Sequence, residues 1–342
     1  MGLVARQQAL GAYADWPAGS MSILVTGGTG FVGIHVLREL AGRGGSVISL
    51  ATGGSLDAGA QEFLSGVEGR ITCREADVRD LDAVRRLIRD ARVRVLVHGA
   101  AVTAIGSLEA AAAHEAVMVN VGGTATVLEA ARLEGVERFM LLSSATVYGS
   151  SPPSIPLDED RALAPQGIYG VTKRAAEEIV SRYFDLFGMT GAILRISTPY
   201  GPLERPTGQR TVMSPVYDWC RAALHGKDVA LEEDLERDFT HCGDTARCIV
   251  EACHAAKLGY RVYNVSSGEN FRFSSVLEIL SRLRPSFRFR VQNTGVGSGF
   301  FRDSLRGPLA IERARNDLGF VPQYDLESGL REYLRWLEKH AA

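Results

Sequence analysis

A chain of 342 residues is long enough for one large domain or two medium ones, and 46% hydrophobic with 23% charged side chains is the balance of a folded globular protein. Its 38 basic and 40 acidic side chains leave a formal charge of -2, so no overall field draws nucleic acid or an anionic membrane, and no apolar run approaches the ~20 residues that span a bilayer. With no secretory or transit pattern and five cysteines in neither a disulfide nor a CxxC spacing, a cytoplasmic protein with reduced thiols is expected.

Residues 1–20 precede a second methionine, Met21, and read as an N-terminal extension. From there short β-branched runs alternate with helix-length stretches. ILVT (23–26) leads into a helix over about 31–41, followed by SVISL (46–50). ITCREA (71–76) leads into a helix over 81–91, then VRVLVHGA (93–100). A helix over 113–133, the run RFMLLSS (138–144), a helix over 169–187 and GAILRI (191–196) continue the pattern. Strands spaced by helices predict βαβ units, and runs apolar on both faces predict a buried parallel sheet. The fold class is α/β, a Rossmann-type doubly wound sheet. After Pro199 the regularity fails in YGPLERPTGQR (200–210), so residues 21–199 are expected to bind a dinucleotide and 200–342 to form mainly a smaller, substrate-binding domain. The strand-like pieces at 237–241 and 261–267 are candidates to return to the first sheet.

Gly27, Gly30 and Gly33 fall at the first strand-to-helix turn. Glycines there allow a tight turn, close approach of backbone to a pyrophosphate and close packing of helix on strand. ADVRD (76–80), HGAA (98–101) and LLSSATVYG (141–149) each follow a strand, where open α/β sheets bind ligands. YGVTK puts Tyr169 and Lys173 on one face of a helix.

Together these ordered motifs resemble the extended short-chain dehydrogenase/reductase family, which includes NAD-dependent sugar-nucleotide epimerases and dehydratases, from Ile23 to about Trp336. The resemblance implies that Gly27, Gly30, Phe31, Val32 and Gly33 meet the pyrophosphate and that Asp77 and Val78 meet the adenine. It implies further that Ala100 and Ala101 pass the nicotinamide half, that Pro199, Tyr169 and Lys173 also meet the cofactor, and that two copies associate through the helices at 113–133 and 169–187. A carboxylate for the adenosine ribose is expected about twenty residues beyond the glycines. Ala51 stands there instead. Its absence removes an attraction for NAD and a repulsion against the 2′-phosphate of NADP, which tilts the reading to NADP. Thr52, Ser55 and the amides of Gly53 and Gly54 form either a neutral phosphate nest or a plain flexible turn; Arg43 or Arg74 could shift the balance.

Hydride transfer at a carbinol needs a base, and a phenol with pKa ~10 must be lowered by ~3 units, or ~4 kcal/mol. An ammonium ~4 Å away at an effective dielectric of ~20 supplies that much, so Lys173 is expected to activate Tyr169, helped by an oxidised nicotinamide. By the resemblance Ser144 bonds the reacting oxygen with Thr146 as helper, and Ser143 packs or bonds backbone. Dehydratases of the family carry an Asp-Glu pair where Ala145 and Thr146 stand here, which leaves redox or 4-epimerisation. Arg237 matches an arginine that contacts a substrate diphosphate, with Arg302 or Arg306 assisting. Thr198 replaces an asparagine common in nucleotide-sugar enzymes, so smaller substrates stay open. The readings are thus a 4-epimerase of a sugar nucleotide, an NADP-dependent dehydrogenase or reductase of another small carbonyl compound, and a non-catalytic nucleotide sensor. Cys242, Cys248 and Cys253, with His241 and His254, diverge around a helix, so no metal site is expected. His98 is expected to be structural.

Overall fold

The computed structural model describes residues 22–106, 109–207, 210, 212–292 and 305–340. Its first half runs β1 (Ser22–Thr26), α1 (Phe31–Gly42), β2 (Ser46–Ala51), α2 (Ala58–Phe63), β3 (Ile71–Glu75), α3 (Leu81–Asp90) and β4 (Val93–His98). Next come α4 (Glu109–Val117), a π turn over Met118–Gly123, α5 (Thr124–Leu133), β5 (Arg138–Ser144), α6 (Ile168–Phe187) and β6 (Gly191–Ile196). Beyond these lie β7 (Thr198–Tyr200), α7 (Pro215–Leu224), β8 (Val229–Leu231), β9 (Glu236–Arg237), β10 (Phe239–His241) and α8 (Cys242–His254). The chain continues through β11 (Val262–Val265), β12 (Phe271–Arg272), α9 (Phe273–Leu283), β13 (Phe289–Val291), α10 (Glu312–Leu318) and α11 (Leu326–Lys339).

Seven strands pair in the order β11-β6-β5-β4-β1-β2-β3, all parallel. Period-two alternation explains the two apolar layers. Ile23 and Val25 of β1 pack with Ile34 and Leu37 of α1 and Ile249 of α8, while Leu24 between them packs on the other face with Val127, Leu128 and Val180. Each such side chain, withdrawn from water, stabilises the fold by about 1.5–3 kcal/mol. β3 departs from the expected doubly apolar strand. It is an edge, with Ile71 and Cys73 half-buried and Thr72, Arg74 and Glu75 exposed. Strand order reverses between β1 and β4, which opens a crevice at the carboxyl ends of those strands.

Of the two later segments, residues 262–265 join the sheet as β11, beside β6. Residues 237–241 do not join it. The chain changes partner at Ser197, whose N–H donates to Val265 O while its Oγ donates to Asp238 O at 2.8 Å. With the edge of β6 taken by β11, β10 pairs with β7, and β9 pairs antiparallel with β12. A separate core of Tyr200, Trp219, Phe239, Phe273, Leu277 and Tyr333 holds α7, α9 and α11 together. Residues after Pro199 therefore divide: α8, β11 and α10 pack on the sheet, while α7, α9 and most of the buried face of α11 pack on this second core.

Candidate active site

The crevice is a cavity of about 640 Å³. Gly27, at φ 70°, and Gly33 shape its floor. A Cβ on Gly27 would stand 2.8 Å from Ala100 N, and one on Gly33 would stand 2.2 Å from Gly27 O, both immovable backbone. The N-terminus of α1 can therefore lie hard against the turn, with Gly30, Phe31 and Val32 facing the cavity. That end of the helix suits a phosphate.

Thr52, Asp77 and Val78 line the cavity beyond β2 and β3, and Ala100 and Ala101 beyond β4. β2 ends at Ala51, which also lines it. Neither Arg43 nor Arg74 reaches in: Arg43 pairs with Glu39 and Glu251 at 2.8 Å each, and Arg74 donates to Cys73 O. The arginine present is Arg79, which holds the Asp77 carboxylate at 2.6 Å and Glu115 at 3.2 Å. That grip keeps the Asp77 carboxyl below the usual carboxylate range. Glu75, the β3 neighbour of Ala51, brings its Oε2 to 3.2 Å from where a Cβ on Gly54 would lie.

Ser144, Thr146, Tyr169 and Lys173 all line the same cavity, with Thr198 and Pro199 opposite on β7. Thr146 donates to Ser144 Oγ through its N–H at 3.2 Å and its hydroxyl at 3.0 Å. Lys173 is buried and donates from Nζ to Leu142 O at 2.8 Å, and burial pushes it down to about 8, with Glu177 one turn on opposing the shift. Its ammonium stands 5.8 Å from the Tyr169 ring centre. Burial raises the Tyr169 phenol above its ordinary value, against the pull of Arg210 and of a Ser144 hydrogen bond. Burial of the phenol thus works against the activation that the sequence suggests.

Ser143 does not bond backbone. Its hydroxyl donates to Glu177 Oε1 at 2.5 Å, and Glu177 pairs with buried Arg195 at 2.8 Å. That pair reaches Tyr148 and, through it, Asn264. Behind the cavity a chain of hydrogen bonds fixes the 99–102 segment. Gly99 and Ala100 N–H donate to Thr26 Oγ1, which lies 2.7 Å from His98 Nδ1. His98 Nε2 lies 3.0 Å from Thr124 Oγ1, which donates to Asn120 O. The direction of donation assigns His98 a neutral Nε2–H tautomer. Asn120, in the π turn, brackets Val102 with two hydrogen bonds and donates to Thr172, one residue from Lys173. His241 caps α8, and His254 bonds Val250 O.

Arg237 and Arg306 are both buried and both line the cavity. Burial and the nearby Arg306 drive Arg237 well below its ordinary value, and burial pushes Arg306 down to about 10. The neighbouring Asp238 opposes both shifts. Arg302 lies outside the described residues. Arg79, Arg210 and Asn120 were not singled out in the sequence, because each is a lone polar residue with no spacing that marks it.

The chain matches the NAD dependent epimerase/dehydratase family over residues 23–266. UDP-glucuronate 4-epimerase 1 of Arabidopsis thaliana is 29% identical, over 93% of this chain and 77% of that protein. The crystal structure of a UDP-glucose 4-epimerase with UDP-glucose from Thermotoga maritima superposes with a TM-score of 0.79 at 23% identity, over 94% of this chain and 100% of that one. The Thermus thermophilus UDP-glucose 4-epimerase in complex with NAD superposes at 0.76 with 25% identity, over 93% and 99% of the two chains.

Proposed function

Since the chain belongs to the NAD-dependent epimerase/dehydratase family, we propose that it inverts the 4-carbinol of a nucleotide-linked sugar, with the hydride withdrawn and returned within one turnover. The observation that carries this reading is the single cavity shared by the glycine turn, Ser144, Tyr169 and Lys173, and the buried pair Arg237 and Arg306. A dinucleotide, a carbinol base and a substrate diphosphate would all find suitable groups there. NAD bound against the glycine turn would supply the hydride acceptor for the carbinol carbon. Tyr169 takes the hydroxyl proton as base, Ser144 bonds the same oxygen with Thr146 fixing its orientation, and Lys173 favours the phenolate. Arg237 and Arg306 hold the diphosphate and anchor the sugar while either face of the ketone is presented.

A diphosphate offers the buried guanidiniums of Arg237 and Arg306 charge-assisted hydrogen bonds that an uncharged small carbonyl would not, which favours the nucleotide-linked substrate over a reductase of such a compound. Elimination of water is disfavoured too, since the buried Ala145 and the hydroxyl of Thr146 offer no acid and base. The test is incubation with NAD and UDP-glucose or UDP-glucuronate, with the 4-epimer resolved by anion-exchange chromatography. Stoichiometric accumulation of NADH, or no epimer from either sugar, defeats the reading.

On the cofactor, Ala51 leaves the ribose pocket open to NADP as well as NAD, while the Glu75 carboxylate beside Gly54 opposes a 2′-phosphate. Ala51→Asp should lower the NADP-to-NAD affinity ratio by about tenfold or more, the effect of placing one carboxylate against a phosphate. Fluorescence titration with both reduced cofactors checks it, and an unchanged ratio would mean that Ala51 does not face the ribose. For the assembly, Val117, Met118, Val171, Leu186 and Phe187 are large apolar side chains exposed on α4, the π turn and α6. They support a homodimer, for which light scattering should give twice the 36.9 kDa of one chain; a monomer mass would refute it.

A further inference from the structure

The described part of the cavity has charges of two kinds. Asp77 and Glu115 are both committed to Arg79, and the remaining charged side chains of the lining, Lys173, Arg210, Arg237 and Arg306, are all cationic. Arg237 and Arg306 suffice for a diphosphate. Arg210 is a third guanidinium, placed elsewhere. It stands 5.1 Å above the Phe31 ring, and its Nη2 donates to Glu204 Oε1 at 2.7 Å. Glu204 is itself fixed, fully buried and accepting from Ser214 N at 2.6 Å and Ser214 Oγ at 2.8 Å. The guanidinium is therefore clamped at one nitrogen and packed on an aromatic face. Its Nε is buried, and among the described residues no group accepts from it.

A buried N–H without an acceptor is costly, and the strongest acceptor for the guanidinium fork is a carboxylate. Where that acceptor belongs follows from Tyr169, which lines the same cavity as Arg210, with Phe31 under the guanidinium lining it too. In a hexose nucleotide whose 4-hydroxyl meets Tyr169, the substituent on the adjoining ring carbon is a hydroxymethyl, or in a hexuronic acid a carboxylate. We propose that Arg210 recognises that carboxylate, so that the preferred substrate is a nucleotide-linked hexuronic acid rather than the neutral hexose. This rests on the epimerase reading above, and it names the substrate class of the same site.

UDP-glucuronate and UDP-glucose differ in just this group, and each is titrated calorimetrically into the NAD-loaded protein in a Tyr169→Phe background that prevents turnover. Without further change, UDP-glucuronate should bind at least about tenfold more tightly, as expected for a charge-assisted pair out of water. Adding Arg210→Gln should shrink that ratio to about twofold or less, and Arg210→Lys, which keeps the charge but not the fork, should fall between. If Arg210→Gln strands Glu204 and unfolds the protein, the lysine variant alone carries the comparison. Equal affinity for the two sugars before substitution, or a ratio that survives it, overturns the proposal. Binding of NAD but of neither sugar nucleotide would instead defeat the epimerase reading, and the proposal with it.

Discussion

Tyr169→Phe should lower turnover by about 10³-fold or more while NAD affinity stays within about twofold, the usual range for loss of a positioned general base. The substitution deletes one oxygen and keeps the ring, so the packing at the start of α6 and the 5.8 Å approach of Lys173 to the ring are retained. What disappears is the proton acceptor and the partner of Ser144. Because the phenol is distinct from Arg237 and Arg306, the proposed diphosphate anchors, kcat should fall far more than KM rises. Single-turnover measurement of the reduced cofactor alongside calorimetric binding separates the two. Residual turnover within tenfold of the parent would remove Tyr169 from the role of base.

The parts of the fold and site legible in the sequence are those with a local signature. β1 and α1 announce themselves through an apolar run, three glycines and a helical period, because backbone packing at the turn tolerates no Cβ at Gly33. Tyr169 and Lys173 share a helix face by spacing alone. Partner choice was not legible. Whether residues 237–241 or 262–265 would take the edge of β6 depends on where the chain turns at Ser197, which bonds Asp238 and Val265, both far downstream in sequence. Nor could spacing tell that Lys173 would give a hydrogen bond to the Leu142 carbonyl, or that burial would raise the Tyr169 phenol, since both depend on how much water the folded walls exclude. Arg210 is hidden for a related reason: it lies on a loop without periodicity, and its meaning comes from Phe31 and Glu204, remote or patternless in sequence.

Three buried histidines should make the protein acid-sensitive. Burial pushes His98 down to about 3, His35 to about 4 and His241 to about 3, from an ordinary 6.5. Each is therefore neutral in the folded chain where the unfolded chain already binds a proton. Stability from such a group is complete above pH 6.5 and declines as pH falls towards the folded pKa, by about 1.4 kcal/mol per unit. At about pH 5 each histidine has removed about 2 kcal/mol and the three together about 6, a large share of the 5–15 kcal/mol of a typical domain. Buried carboxyls raised by burial, Glu204 and Asp238 among them, act in the opposite sense in part of that window. The histidine contribution is therefore read as a difference. His35→Gln can still donate to Pro202 O, which His35 Nε2 meets at 2.8 Å, and His98→Gln retains an amide towards Thr124. Neither glutamine can be protonated in this range. Urea unfolding at pH 7.5 and pH 5 should show each variant losing about 2 kcal/mol less than the parent over that interval. The His98 case has a structural reason beyond burial: a proton on Nδ1 would face the Thr26 hydroxyl, which must donate to that nitrogen because its oxygen already accepts from Gly99 and Ala100. Protonation would then disturb the strand end that lines the cavity, so in the parent loss of cofactor binding should accompany loss of stability. A pH interval identical in parent and variants would show that these histidines stay accessible to protons in the native state and carry no such penalty.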